Sequence, residues 1–504
     1  MPAVTTAQLG AVPLGDGLAE LRVWAPRART VAGRLASGDH PLAQEGDGVW
    51  AGTVPAGPGD DYRFVLDGGE ALPDPCSRRQ PEGVRGPSRV VNTGGFRVAP
   101  GPALALDELV LYELHVGTFS PEGTFDGVVP RLAGLRKLGV TAIELMPVAT
   151  FPGRRGWGYD GLYTSAVHEA YGGPERLAHL VDAAHREGLG VVLDVVYNHL
   201  GPGSEALTAF GPYLTESEDT PWGKALDFSL RAVREWAIQN AELWVRDYRI
   251  DGLRLDAVHA VNDDSPQHVL AELAERVRAA SPQALVISEM GLPDFRPLTE
   301  WGHDAMWLDD LHHALHVALT GERDGYYAGF DGSLGRIAAE LQRPEGARIV
   351  ACAQNHDQVG NRAFGDRLPD AKRRLAAAVV LFGPLTPLLF QGEEWGEPAP
   401  FRYFTDHADP FFAEATREGR RREFAGFAGF EGEVPDPQAP ESFELSRLAP
   451  REPEELYVRL LRLRRELPRQ VEVAVDEEAR TLEVRRGRAT LRVDFANETV
   501  ELDA

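Results

Sequence analysis

From Leu109 onward, short apolar runs alternate with helical stretches, and this alternation limits the folds open to the chain more than any other feature. The runs are LVLYELHV, VTAIELMPV, GVVLDVVYNH, IDGLRLDAV, LVISE, AMWLDD, RIVACAQNHD and TPLLFQGEE. Between them lie RLAGLRKLG, ERLAHLVDAAHREG, LRAVREWAIQNAELWVRDY and HVLAELAERVRAA, which read as helices. Eight strand candidates separated by helices predict an α/β fold, a (β/α)8 TIM barrel, over residues 101–467. No repeat of fixed period runs through the chain, which argues against a solenoid.

A chain of 504 residues is too long for one ordinary core. The flanks supply the remainder. Residues 1–100 carry LAELRVWAP, TVAGRLA, GVWAGTVP, DYRFVLDG and SRVVN, short strands punctuated by Gly and Pro. That spacing predicts a small N-terminal β-sandwich, joined to the barrel by a linker, RVAPGPALALDEL. After the helix PEELYVRLLRLRREL, residues 468–504 hold VEVAVD, TLEVRRG, ATLRVDF and ETVEL, a short C-terminal β-module.

The formal charge of −25 argues against a nucleic-acid partner, which needs a basic face, and disfavours a polyanionic substrate. No run approaches the length of a membrane span, and MPAVTTAQLG lacks the regions of a signal peptide. The charge says nothing against a neutral substrate, and a cytoplasmic protein is the expectation. Cys76 and Cys352 are the only cysteines and have no metal or redox spacing, so reduced thiols are expected, with a single disulfide between them left open.

Polar residues collect at the C-terminal ends of the barrel runs: His115, Asn198, His199, Asp256, Glu289, Asn355 to Asp357, Glu393 and Glu394. Barrels of this kind carry their active sites at that face. In DGLRLDAVHA, Arg254 and Asp256 stand two apart on a strand and share a face. Two carboxylates flanking a bond are the minimum equipment for glycoside hydrolysis. One must stay ionised, and the Arg254 guanidinium favours that in Asp256. The other must hold a proton, and the apolar strand leading to Glu289 is expected to raise its pKa by burial. Asp194 reads as a scaffold that orients Arg254 or His199. Glu393 and Glu394 read as structural hydrogen-bonding groups rather than a metal pair, and no dense cluster of oxygen ligands for calcium is present.

The motifs DVVYNH, GLRLDAVHA, ISEM and QNHDQVGNR, in this order, resemble the four barrel motifs of the α-amylase superfamily, glycoside hydrolase family thirteen. Within it, LYELHVGTFSPEGTFDGV, RRGWGYDG, TPWGKALDF, WLDDLHHALH and TPLLFQGEEWGEPAPFRYFTDH resemble the trehalose-releasing branch. The resemblance implies a retaining hydrolase with no cofactor and no metal. It would cut the α-1,4 bond next to the terminal α,α-1,1-linked pair of maltooligosyl trehalose, alongside a synthase that makes this substrate.

By the same resemblance Asp256 is the nucleophile, Glu289 the general acid/base and Asp357 the third carboxylate. His199, Arg254 and His356 surround the sugar being cleaved, and Tyr159 stacks on it. His259 matches a leaving-side position, and Asp310, His312 and Gln358 match further substrate-lining positions. Because loops after strands two to six can reach the leaving side, His259, Trp222, Asp310 and His312 are the candidates for discrimination there. A branching or debranching enzyme is the rival within the superfamily, and a non-catalytic glucan-binding barrel the rival outside it. The segment ISEMGLPDF and the short interval from Glu289 to Trp307 depart from the branch's pattern and put the leaving-side loops in question.

Overall fold

The computed structural model describes residues 7–220, 223–291, 293–424 and 433–504. Eight parallel strands close into a barrel in chain order: β1 (Leu111–Leu114), β2 (Ala142–Leu145), β3 (Gly190–Val195), β4 (Gly252–Leu255), β5 (Leu285–Glu289), β6 (Ala305–Trp307), β7 (Ile349–Cys352) and β8 (Thr386–Phe390). Each strand lies within one of the eight apolar runs. The runs look continuous rather than alternating because both faces of a parallel barrel strand are covered.

Helices pack outside: α1 (Leu132–Leu138), α2 (Gly173–Arg186), α3 (Arg231–Asp247), α4 (Val269–Ala280), α5 (Arg296–Thr299), α6 (Asp310–Thr320), α7 (Leu334–Leu341), α8 (Asp370–Phe382) and α9 (Glu455–Glu466). In α2, Leu177, Leu180, Val181 and Ala184 are buried, the i, i+3, i+4, i+7 stripe of an amphipathic helix. The short interval between Glu289 and Trp307 leaves room for only the single turn of α5.

Leu111, Ala142, Val192, Leu285, Ile287, Ala305, Trp307, Val350, Cys352 and Leu388 form one buried cluster that fills the barrel. Strand side chains alternate between faces, so the inner face continues upward through Glu113, Glu144, Asp194, Arg254 and Glu289. The segment expected to be a linker belongs to the barrel. Its Leu104 and Leu106 pack against the interior cluster, and a Cβ on Gly190 would meet Leu104 Cδ2 at 2.8 Å.

The N-terminal strands form two antiparallel sheets. The sheets face each other closely: a Cβ on Gly33 in one would stand 2.5 Å from Leu21 Cδ1 in the other. Four strands not anticipated from sequence complete them, at Gly10–Gly15, Gly38–Pro41, Ala43–Gly46 and Ala71–Leu72. The middle two are largely exposed and carry no apolar alternation to read. At the other end, strands Glu472–Asp476, Thr481–Arg486, Ala489–Asp494 and Thr499–Asp503 make a four-stranded antiparallel sheet. Arg486 docks it by donating to the carbonyls of Phe382 (2.7 Å) and Gly383 (3.1 Å) at the end of α8. Cys76 and Cys352 are both free thiols. Among the described residues, no helix is long and apolar enough to cross a membrane.

Candidate active site

Arg254 is fully buried and organises the mouth of the barrel. Its Nη1 donates to Asp194 Oδ2 and Asp256 Oδ1, each at 2.8 Å, and its Nη2 lies 3.0 Å from Glu289 Oε2. The guanidinium carbon sits 4.4 Å from the centre of the Trp307 ring. Burial alone would lower its pKa, but Asp194 and Glu289 outweigh it and hold the cation firmly. The planar fork lets one side chain hold carboxylates from three successive strands.

Asp256 follows β4 directly. Its second oxygen accepts from Asn198 Nδ2 at 2.8 Å, so both oxygens are fixed. The next residue, Ala257, is in the left-handed region at φ 40, ψ 52, a conformation that costs a non-glycine residue about 1–2 kcal/mol. That turn aims the Ala257 N–H at Glu289 Oε2, 2.6 Å away. Strain of this kind persists where the surrounding structure over-determines it. The apolar residues of β5 do not enclose the Glu289 carboxyl as expected from sequence. It faces Arg254 and the Ala257 amide, because it leaves the strand at the polar mouth of the barrel.

His356 and Asp357 begin a one-turn helix, His356–Gly360, capped by Asn355 Oδ1, which accepts from Gln358 N at 2.8 Å. The His356 ring bonds through Nδ1 to Glu113, and its backbone N–H donates to the other Glu113 oxygen at 2.9 Å. Burial would lower its pKa, yet Asp357 and Glu113 outweigh burial and raise it to about 10. It is therefore an imidazolium at neutral pH. Its Nε2 lies 2.8 Å from the Tyr159 hydroxyl and 3.3 Å from Asp357 Oδ2. The Tyr159 hydroxyl in turn donates to Asp194 at 2.6 Å, and the ring lies against His356 at 5.1 Å between centres. His199 closes the wall behind Asp256, bonded to Asn198 Oδ1 and to the Tyr159 carbonyl.

Two more carboxyl groups on the inner face carry raised pKa values. Asp194 is pushed to about 7, by burial first and then by Asp256. Glu144 is pushed well above the usual range, by burial first and then by Glu113.

Asp256, Glu289, Asp357, Tyr159, His199, Arg254 and His356 thus converge through direct bonds. Gln358 joins them by donating to Asp309 Oδ2 at 2.9 Å. A cavity of about 410 Å³ adjoins Asp357 and Gln358, with Tyr326, Tyr327 and Phe364 in its lining. His259 is exposed beside the site, its Nδ1 accepting from Gly291 N at 3.2 Å.

Two expected leaving-side residues are placed differently. Asp310 pairs with Arg336 at 3.1 Å and Arg343 at 3.8 Å on and just after α7, and its neighbour Asp309 is the one bonded to the site. His312 is buried, holding the Ala353 carbonyl at 2.7 Å and the Tyr327 hydroxyl at 3.3 Å, so it supports the wall from behind. Trp222 lies outside the described residues.

Glu393 and Glu394 accept from Tyr457 (3.3 Å) and Tyr112 (3.0 Å). Among the described residues, no group of three or more His, Cys, Asp or Glu side chains is arranged to hold a metal ion.

The barrel, closed in chain order with its carboxylates gathered at the ends of β4, β5 and β7, is that of the α-amylase class. The family model described as alpha amylase, catalytic domain, matches residues 87–222. A solved structure described as a putative alpha amylase from Salmonella typhimurium superposes with a TM-score of 0.87 at 37% identity, over 96% of this chain and 92% of that one. The malto-oligosyltrehalose trehalohydrolase of Deinococcus radiodurans is 44% identical over 92% of this chain and 83% of its own length. That of Rhizobium sp. is 42% identical over 97% and 93%. The chain belongs to the malto-oligosyltrehalose trehalohydrolase family.

Proposed function

We infer that this chain is a retaining glycoside hydrolase that releases trehalose from maltooligosyl trehalose by cutting the α-1,4 bond next to the terminal α,α-1,1-linked pair. The observation that carries this is the three-way hold of Arg254 on Asp194, Asp256 and Glu289. It fixes the carboxyl groups of Asp256 and Glu289 side by side at the barrel mouth, as a retaining pair requires.

Asp256 Oδ2, the oxygen not bonded to Arg254, attacks the anomeric carbon while Glu289 gives its proton to the departing glycosidic oxygen. Trehalose leaves and a covalent glycosyl-Asp256 ester remains. Glu289, now a carboxylate, takes a proton from water as that water attacks the same carbon and expels Asp256. Asp357 and the His356 imidazolium bind hydroxyls of the sugar that passes through the cation-like transition state, and Tyr159 offers its ring face. His259, beside Gly291 and beyond Glu289, meets the leaving trehalose. The enzyme follows a synthase that makes maltooligosyl trehalose.

Incubation with maltotriosyl trehalose and, separately, with maltopentaose tests this. The expected outcome is trehalose plus maltotriose from the first and much slower cleavage of the second. A changed branch pattern on a longer glucan, with no trehalose, would identify a branching enzyme instead.

A further inference from the structure

Asp309 occupies the N-cap position of α6 but makes no side-chain cap bond. An aspartate there ordinarily accepts from the first backbone amides of its helix. Here the carboxylate turns to the segment after β7 instead. Its Oδ1 accepts from Asn355 Nδ2 at 3.1 Å and its Oδ2 from Gln358 Nε2 at 2.9 Å. Asn355 and Gln358 flank His356 and Asp357, and Asn355 is the cap of their one-turn helix. That helix is too short to hold its own direction, since a single turn fixes many dihedral angles for few bonds.

We propose that Asp309 is a positioning residue: acting through Asn355 and Gln358, it fixes the turn that presents His356 and Asp357 to the substrate. The proposal rests on the assignment of Asp357 as a working carboxylate. Asp309 gives up its own helix cap for this purpose, and α6 starts without side-chain capping as the consequence. The electrostatics agree with the placement. Burial raises the Asp309 pKa to about 7, and Asp357 and Glu289 are the next causes. The bond from Gln358 opposes the rise, and Tyr327, whose hydroxyl donates to Gln358 Oε1 at 3.4 Å, orients that amide so that its Nε2 donates to Asp309.

The geometry permits a reciprocal exchange. In Asp309→Asn the new amide meets the Asn355 amide donor to donor, and the turn is released. In Asn355→Asp two carboxylates face each other. In the double variant Asn at 309 donates to Asp at 355, still accepts from Gln358, and Asp at 355 still caps the turn. Each single variant should lose kcat on maltotriosyl trehalose on the order of 100-fold, the scale of a misplacement near 1 Å, with KM changing far less. The double variant should recover most of that loss. Double variants that stay as slow as the worse single, with unchanged melting temperature, would overturn the proposal. Gln358→Ala supplies a second test: its loss in wild type should shrink in the Asp309→Asn background, and fully additive losses would likewise contradict it. Trehalose production by wild type tests the underlying function separately from either comparison.

Discussion

Arg254 meets three carboxylates with two terminal nitrogens, and its Nε has no hydrogen-bond partner among the described residues. A lysine would keep the charge with a single nitrogen and could not reach all three. Arg254→Lys should therefore lower kcat by about 100-fold or more, read in a steady-state assay with maltotriosyl trehalose. Arg254→Ala should in addition unfold at lower temperature, because buried carboxylates left unpaired cost about 3–5 kcal/mol. His356 gives a prediction in pH. Its folded pKa, about 10, stands above the unfolded value near 6.5. Its stabilising contribution is thus complete below about pH 6.5 and is lost as pH rises through about 10. Between these limits, calorimetry should show wild type losing more melting temperature than His356→Gln. The pairing of Arg254 with Asp256 was legible in sequence, because two residues two apart on a strand must share a face. The choice between Asp309 and Asp310 was not. Both follow β6, and the orientation of a residue entering a helix depends on whether it caps that helix, which no local pattern records.

At the scale of elements, the eight barrel strands were legible because full burial writes itself as uninterrupted apolar runs. Helix α8 was less so: DAKRRLAAAVVLF is buried along most of its length, and its apolar stretch gives no clean stripe. The strand-to-loop passage after β4 was also hidden, since Ala257 carries no signal for a left-handed residue. Glycine would adopt that conformation without the Cβ penalty. Ala257→Gly should leave stability unchanged or raise it by up to about 1 kcal/mol, measured by urea unfolding. The same change should lower kcat, because a freer backbone holds the amide less firmly against Glu289. A destabilised Ala257→Gly with full activity would show that the strained turn serves the fold alone.

Across the whole molecule, the flanking sheets and the barrel are bound by specific contacts. Arg79 pairs with Glu169 at 2.7 Å and Glu175 at 3.1 Å, and Trp236 donates to the Pro75 carbonyl at 3.3 Å. The segment between the N-terminal sheets and β1 carries Leu104 into the floor of the barrel. Sequence pattern suggested a linker because Pro, Gly and Ala dominate it, and only the closed barrel reveals the hole that its leucines fill. Leu104→Ala should lower the unfolding free energy by about 1–3 kcal/mol without changing kcat, since the floor lies at the opposite end from Asp256 and Glu289. The central claim, that Asp256 and Glu289 act as a retaining pair on maltooligosyl trehalose, is met most directly by following the anomeric protons during cleavage of maltotriosyl trehalose by NMR. The account predicts trehalose appearing together with maltotriose whose new reducing end is α at first and only later equilibrates. A reducing end that is β at first, or products without trehalose, would contradict it.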